Sequence, residues 1–317
     1  MVSENIKKKL RMRIILIFLS MVIIAAVIYK SILIPRNQLG EKNQLDNKSQ
    51  LDHLISIPSD GLYSTHAILI RLKDYAVMMQ KESEEKIYPA SLTKMMTAII
   101  AIEKLSNLQE EITLSDSMFN ELYYANASMA GFQPNENVRA IDLLYGVLLP
   151  SGAESCIGLA DKIAGSEQKF AEMMNQKAAE LGMNDTHFVN ATGLHDENHY
   201  TTVKDMSILL SYALQNDTFR KIFTSSRHAT NPTNKHPNGI TFYSTMFSKL
   251  KDSSIINGKI LGGKTGYTDE AGLCLASLAK VDGKEYVLVT VGAKGNPKSE
   301  QYNISDALAV YNRLGKE

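Results

Sequence analysis

The sequence has little of what a disulfide scaffold, a nucleic-acid-binding protein or a nucleotide-binding enzyme requires. Its 317 residues contain two cysteines, Cys156 and Cys274, which are too few for a disulfide framework but fit either one bridge or two buried thiols. Lysine plus arginine equals aspartate plus glutamate, at 34 each, so no basic excess favours nucleic acid as a partner. The phosphate-binding pattern Gly-x-x-x-x-Gly-Lys-Ser/Thr is also absent.

A basic cluster and a long apolar run lie at the N-terminus. Lysine and arginine dominate between Lys7 and Arg13, and the residues from 14 to 34 are mostly apolar. About 20 apolar residues cross a bilayer, and positive charge before the span favours a cytoplasmic location for that side. We therefore predict a cytoplasmic tail at 1–13, a transmembrane anchor at 14–34 and a cell-membrane protein with its remainder outside the cytoplasm. A cleaved signal peptide is the alternative, although no Ala-x-Ala pattern follows the apolar run.

A polar segment separates this span from the rest of the chain. Residues 35–59 are rich in asparagine, glutamine and charged side chains and show no apolar periodicity, which is typical of a linker. Residues 60–317 are long enough to bury the core of one large domain. We therefore predict one folded domain at 60–317, without internal repeats.

Strands are predicted near both ends of this domain, with helices between them. Short β-like apolar runs favour strands at 66–72 and 75–79, and at 273–281 and 285–292 around the hairpin signal Asp282-Gly283. Apolar residues at helical spacing predict the remaining elements. The predicted helices are 91–105, 140–149, 154–164, 167–181, 203–214 and 303–314. We expect an α/β sandwich whose antiparallel sheet is built from N- and C-terminal strands, with helices on its faces and a helical middle region.

The first of three short motifs is Ser91-Leu92-Thr93-Lys94. A Ser-x-x-Lys pattern occurs five times in this chain, but only Ser91 follows Pro89-Ala90 and opens a strongly apolar helix. At this spacing both side chains share one helix face, and burial can lower the pKa of Lys94 until it serves as a base. The alternative makes Ser91 a helix cap and Lys94 a solvated residue.

The other two motifs are Ser151-Gly152-Ala153 and Lys264-Thr265-Gly266. Ser151 with Glu154 three positions later also matches a capping box, so the serine can serve as a helix cap, a proton relay or both. The glycine-rich third motif precedes the late hairpin, where a ligand backbone can pair with a strand edge. Its lysine and threonine can hold a carboxylate, although an exposed turn with a solvated lysine is the alternative.

Taken together, the motifs and the residues around them resemble the serine D-alanyl-D-alanine carboxypeptidases, the low-molecular-weight penicillin-binding proteins. The resemblance runs through nearly all of residues 60–300 and implies a β-lactamase/transpeptidase-like sandwich. It rests on longer stretches as well as on the triplets. These stretches are 88–98, 148–152, 188–196, 264–268 and Ala271-Gly272.

This resemblance implies a role for each catalytic residue and a class of substrate. Ser91 is expected to be the acylated nucleophile, Lys94 its general base and Ser151 a proton relay. The implied substrates are peptidoglycan stem peptides that end in D-Ala-D-Ala. β-Lactams are expected to acylate the same serine as inhibitors, and neither a metal nor a cofactor is required.

The third motif is expected to bind the substrate. By resemblance, Lys264 and Thr265 hold the terminal carboxylate, and Gly266 and Tyr267 belong to the same substrate-binding strand. The backbone N–H groups of Ser91 and Tyr267 are expected to form the oxyanion hole.

Two departures from the family pattern stand out. Ala153 occupies the position where the family usually has an asparagine whose amide contacts the substrate and the catalytic lysine. Glu154 or Ser155 can compensate for this loss, and a catalytically weak penicillin- or peptidoglycan-binding protein is therefore an alternative. The sequence also ends at Glu317 without the further β domain and amphipathic anchor of many relatives, so we expect the N-terminal span to tether the protein.

Two other enzyme classes are less favoured. A class A β-lactamase requires a glutamate for deacylation, usually in a Glu-x-x-Leu-Asn string. No such string lies between the second and third motifs. A zinc peptidase is suggested by His195 and His199, four residues apart, but the residues between them do not match His-Glu-x-x-His. Their neighbours favour a loop, and we interpret both as polar loop histidines.

Overall fold

The computed structural model describes residues 57–316. The predicted cytoplasmic tail, the transmembrane anchor and all but the last three residues of the predicted linker lie outside this range. Ile57, within the predicted linker, is 2% exposed, and its N–H donates to the Met78 carbonyl at 2.9 Å. None of the helices between residues 57 and 316 combines the length and the hydropathy that a membrane span requires.

Six strands form one antiparallel sheet. They are β1 (His66–Arg71), β2 (Ala76–Lys81), β7 (Ser254–Ile255), β8 (Gly258–Thr268), β9 (Gly272–Val281) and β10 (Lys284–Ala293). Their spatial order is β2-β1-β10-β9-β8-β7, so the two N-terminal strands pair with the C-terminal hairpin. The four remaining strands make two small antiparallel pairs. These are β3 (Glu111–Thr113) with β4 (Asn137–Arg139), and β5 (Arg227–Ala229) with β6 (Thr241–Tyr243).

Eight helices lie within the described residues, and seven of them occupy the stretch between β2 and β7. They are α1 (Lys94–Lys104), α2 (Ser117–Tyr124), α3 (Ala140–Leu148), α4 (Ala153–Ala164), α5 (Glu167–Leu181), α6 (Val203–Ala213), α7 (Asp217–Phe223) and α8 (Tyr302–Leu314). The sheet of early and late strands and the helical middle region confirm the predicted fold class.

Apolar side chains cover both faces of the sheet. On β1, Ile68 and Ile70 pack into the core that the middle helices form. Ala67 and Leu69 point to the opposite face and pack under the C-terminal helix α8, which contributes the fully buried Tyr311. Because successive strand residues alternate between faces, a strand that is apolar at every position is buried on both sides.

Three local features differ from the prediction. The predicted helix at 91–105 begins as a 3₁₀ turn, Ala90–Thr93, and becomes α-helical at Lys94. The short helices α2 and α7 were not predicted. Strand β8 is longer than its glycine-rich sequence indicates, since glycine has low strand propensity and the ladder with β9 determines the conformation.

Candidate active site

Ser91 lies in a tight turn between the helical region and the sheet. Ala90 before it adopts a left-handed conformation with φ 46°. A Cβ atom at Gly193 would lie 1.9 Å from the Ala90 carbonyl oxygen, and one at Gly266 would lie 3.2 Å from the Ser91 nitrogen. The two glycines therefore allow a loop and strand β8 to approach the serine from both sides.

Lys94 follows Ser91 by one turn and is 2% exposed. Its Nζ donates to Ser91 Oγ at 3.0 Å and to the Thr192 carbonyl at 2.5 Å. Burial lowers the pKa of Lys94, although nearby Cys156, Glu154 and Glu167 favour the charged form. A buried lysine with a lowered pKa beside a serine hydroxyl can accept the hydroxyl proton. The solvated-lysine alternative does not fit this burial.

The loop that carries Thr192 forms hydrogen bonds with residues at the start of α1. Thr97 Oγ1 donates to the Ala191 carbonyl at 2.6 Å, and His199 Nε2 lies 2.8 Å from Thr93 Oγ1. His199 Nδ1 accepts the Val189 N–H at 3.2 Å, so the neutral ring presents its Nε2–H to the threonine. Burial lowers the pKa of His199 to about 4, which keeps the ring neutral at physiological pH.

Thr192 was not predicted to contact Lys94, and His199, interpreted from its neighbours as a polar loop histidine, is 2% exposed. A backbone carbonyl leaves no side-chain signal in a sequence, and a histidine in a polar loop gives no indication of its burial. His195, which the zinc alternative paired with His199, lies near a different group, with Nδ1 at 3.5 Å from Glu270 Oε2.

Ser151 faces the site from the turn before α4. It has φ 71°, and its Oγ accepts a hydrogen bond from Lys264 Nζ at 2.9 Å. Gly152 is the N-cap of α4, and no side chain caps the helix there. The capping-box interpretation is therefore wrong, because the left-handed turn directs the hydroxyl of Ser151 away from the helix and towards Lys264.

Lys264 is fully buried on strand β8. Besides Ser151 Oγ, its Nζ donates to the Thr265 carbonyl at 2.7 Å. Burial, and then the nearby charge of Lys94, lower its pKa well below the ordinary value. The ammonium thus lies behind Ser151, and the exposed-turn alternative does not fit.

A cleft of about 290 Å³ opens in front of these groups. Of the residues predicted for the site, the cleft is lined by Ser91, Ser151, Thr265, Gly266 and Tyr267, whereas Lys94 and Lys264 lie behind them. Residues that the sequence did not single out complete the walls. Among them are Asn126, Ser128, Thr245 and Lys249. Thr245 Oγ1 lies 2.6 Å from Thr265 Oγ1, so two hydroxyls meet on one wall.

Neither residue proposed to compensate for Ala153 lies among those that line the cleft. Glu154 Oε1 accepts backbone N–H groups from Ala130 at 2.7 Å, Gly131 at 2.9 Å and Phe132 at 3.3 Å. Burial raises the pKa of this carboxyl. Ser155 Oγ is buried and has no hydrogen-bond partner among residues 57–316.

Both cysteines are buried and unpaired. Cys156 Sγ donates to the Gly152 carbonyl at 3.3 Å. Burial raises the pKa of each thiol to about 12, so both stay protonated. Of the two possibilities that the cysteine count left open, the structure shows two buried thiols.

Known proteins are similar to this chain in sequence and in fold. Residues 55–295 match the family described as D-alanyl-D-alanine carboxypeptidase. The chain is 33% identical to the D-alanyl-D-alanine carboxypeptidase DacF of Bacillus subtilis over 249 residues, which are 76% of this chain and 60% of DacF. It is 30% identical to DacC of Escherichia coli over 234 residues, or 70% of this chain and 56% of DacC. The chain thus spans less than two thirds of the length of these two relatives.

A solved structure has a similar fold. The crystal structure of a Streptomyces DD-transpeptidase superposes with a TM-score of 0.71 at 25% identity, covering 81% of this chain and 98% of that one. This likeness confirms the predicted transpeptidase-like sandwich. Because the family match covers most of the chain, the protein belongs to the D-alanyl-D-alanine carboxypeptidase family of serine peptidases.

Proposed function

We propose that this protein is a serine D-Ala-D-Ala carboxypeptidase that removes the terminal D-alanine from peptidoglycan stem peptides or their precursors. The observation that carries the proposal is the pair of lysine–serine contacts at one cleft. Lys94 Nζ lies 3.0 Å from Ser91 Oγ, and Lys264 Nζ lies 2.9 Å from Ser151 Oγ. Family membership supports the same reaction.

The first half-reaction forms an acyl-enzyme on Ser91. Neutral Lys94 takes the hydroxyl proton as Ser91 Oγ attacks the carbonyl carbon between the two D-alanines. The oxyanion that develops accepts hydrogen bonds from the backbone N–H groups of Ser91 and Tyr267, as the resemblance implies. Gly266 supports this arrangement, because its missing side chain lets β8 approach the Ser91 nitrogen.

Collapse of the tetrahedral intermediate breaks the C–N bond and releases D-alanine. The departing nitrogen takes the proton that Lys94 accepted, relayed through the Ser151 hydroxyl, which Lys264 orients from behind. Water then attacks the ester carbonyl, Lys94 takes a proton from the water and passes it to Ser91 Oγ, and the shortened peptide leaves with a new carboxyl group.

The terminal carboxylate of the substrate is held on the β8 wall. Thr245 and Thr265 present neighbouring hydroxyls there, and the exposed cation of Lys249 lines the same cleft. Lys264 lies on the buried side of this wall and donates to Ser151 Oγ, so its part in carboxylate binding goes through Ser151 and strand β8.

The proposed location is the cell membrane, with the catalytic domain outside the cytoplasm. Support comes from the sequence, in which a basic cluster precedes an apolar run of sufficient length. Peptidoglycan stem peptides are accessible on that side of the membrane.

The test uses the full-length protein in detergent. Benzylpenicillin is added, any adduct is mapped by mass spectrometry, and D-alanine release from an N-acylated D-Ala-D-Ala peptide is followed in parallel. We expect an adduct on Ser91 and release of D-alanine. The Ser91→Ala variant should lose both, whereas Ser83→Ala, at another Ser-x-x-Lys match in the chain, should retain both.

Other results separate the alternatives. An adduct on Ser91 without D-alanine release favours the weak binding protein that Ala153 suggests. Rapid hydrolysis of the penicillin adduct favours a β-lactamase. Turnover that survives in Ser91→Ala contradicts the mechanism.

A further inference from the structure

The wall of the cleft beside Ser151 is made by the loop 125–132, which follows α2. Asn126 and Ser128 of this loop line the cleft together with Ser91 and Ser151. The loop lies between the first and second motifs in sequence and belongs to neither of them. Its polar side chains line the cleft, whereas Ala153 has no amide to offer a substrate.

The second motif fixes the position of this loop. The Ala153 N–H donates to the Ser128 carbonyl at 2.7 Å. One residue further, the Glu154 carboxylate accepts the backbone N–H groups of Ala130, Gly131 and Phe132. The turn that carries Ser151 and the loop that carries Asn126 are therefore held against each other by one backbone hydrogen bond and by the Glu154 carboxylate, and neither contact uses the side chain at position 153.

Asn126 itself has the properties of a ligand contact. It adopts a left-handed conformation with φ 49°, which asparagine tolerates better than most residues. Its side chain is exposed, and its amide has no hydrogen-bond partner among residues 57–316. An amide carries two N–H donors and one oxygen acceptor, and so matches a peptide group.

We propose that Asn126 supplies the substrate-binding amide that Ala153 does not. This inference rests on the proposed carboxypeptidase function. The hydroxyls of Thr245 and Thr265 occupy the β8 wall and suit the terminal carboxylate. The part of the substrate on the other side of the attacked carbonyl then lies against the loop 125–132. There Asn126 binds the peptide bond that precedes the penultimate D-alanine. Asn126 is thus a specificity-determining residue for N-acylated substrates.

The test variant is Asn126→Gly in the full-length protein. Glycine accepts the positive φ without strain, so the change removes the amide and keeps the backbone turn. We expect kcat/KM for an N-acylated D-Ala-D-Ala peptide to fall by about fivefold or more, as for loss of one hydrogen bond. Asn126→Asp keeps the shape but has no donor and should lose a similar factor. Tyr124→Ala, at a side chain 90% exposed and outside the cleft lining, is the matched control and should retain wild-type kcat/KM.

A pair of β-lactams separates substrate contact from a structural effect. Benzylpenicillin carries a side-chain amide in the place of the preceding peptide bond, and 6-aminopenicillanic acid lacks that amide. Asn126→Gly should slow acylation of Ser91 by benzylpenicillin by about fivefold or more, while acylation by 6-aminopenicillanic acid stays within about twofold. Equal slowing of both, or no slowing of either, overturns the inference.

The two proposals fail in different ways. If the wild type forms the Ser91 adduct and releases D-alanine while Asn126→Gly matches it in both assays, the role of Asn126 is wrong and the carboxypeptidase stands. If the wild type neither forms the adduct nor releases D-alanine, the proposed function fails and the role of Asn126 fails with it.

Discussion

Two buried lysines at one site have different tasks. Lys94 contacts the nucleophile, and Lys264 contacts the second serine. Both pKa values are lowered, chiefly by burial, and that of Lys264 is lowered further by the charge of Lys94. A proton on one lysine therefore disfavours a proton on the other. Burial of Lys94 itself favours the neutral base that acylation needs.

The pH dependence of acylation follows from the lowered pKa of Lys94. Lys94 is a base only when neutral, so acylation by benzylpenicillin should rise with pH through its pKa and level off above it. Because burial lowers that pKa from the ordinary 10.5, the rise should occur below pH 10.5. The measurement is the second-order acylation rate of the full-length protein across the pH range.

A variant of Lys94 tests whether this rise with pH belongs to that residue. Lys94→Arg stays protonated at every accessible pH and has no neutral form to act as a base, so acylation should fall by about a hundredfold or more. If the acylation rate of the wild type rises only near the ordinary lysine pKa, Lys94 with its lowered pKa is not the base.

At the residue scale, spacing predicted part of the site. Ser91 and Lys94 are three residues apart, so one helix turn was enough to place them together. The contact between Ser151 and Lys264 joins residues 113 positions apart and depends on how the turn before α4 approaches strand β8. Thr245 was not predicted, because a threonine gives no sign in sequence that its hydroxyl meets that of Thr265.

At the scale of elements, one carboxyl group accepts three of the hydrogen bonds that connect α4 with the loop 125–132. Glu154→Gln keeps an oxygen acceptor for the three backbone N–H groups, and burial already favours the neutral acid. Glu154→Leu leaves those donors unpaired in a buried place. We expect the glutamine variant to stay within about 1 kcal/mol of the wild type and the leucine variant to lose about 2–4 kcal/mol of unfolding free energy.

Denaturant unfolding of the two variants measures this difference. The glutamine NH₂ would stand at the position of Glu154 Oε2, which is buried without a partner among the described residues, so the variant exchanges one unpaired buried group for another. Equal stability of the glutamine and leucine variants would show that the carboxyl does not hold the loop.

The turn at Ser151 and the strand β8 were not predicted correctly, because each depends on contacts that the local sequence does not show. The Ser151–Glu154 spacing predicted a capping box, but the φ of 71° at Ser151 turns that side chain away from α4. Strand β8 is rich in glycine, and its strand conformation comes from pairing with β9. The long amphipathic helices and the Asp282-Gly283 hairpin were predicted well, because their signals lie within one stretch of chain.

At the scale of the whole molecule, helix α8 joins the two ends of the described chain. Asp306 Oδ1 accepts the Tyr63 N–H at 2.9 Å, and Oδ2 accepts the Ser64 N–H at 2.8 Å and the Ser64 hydroxyl at 2.6 Å. Asp306→Ala removes all three acceptor contacts and should lower the unfolding free energy by about 2–4 kcal/mol. Asp306→Asn keeps one acceptor oxygen and should lose less.

Thermal unfolding of the full-length wild type and both variants checks this order. The expected ranking of melting temperatures is wild type, then asparagine, then alanine. Identical melting temperatures for all three would show that the contact between Asp306 and residues 63–64 adds nothing to stability.

The pairing of β1 with β10 has a consequence for how the protein is made. Thr65, just before β1, donates through Oγ1 to the carbonyl of Val291, 226 residues further along the chain. Strand β1 is synthesised before the whole helical middle region, yet one of its two neighbours in the sheet is synthesised after that region. Contacts this distant in sequence form slowly. Until β10 arrives, β1 has one edge without its partner, and a newly made chain is then most exposed to aggregation and proteolysis.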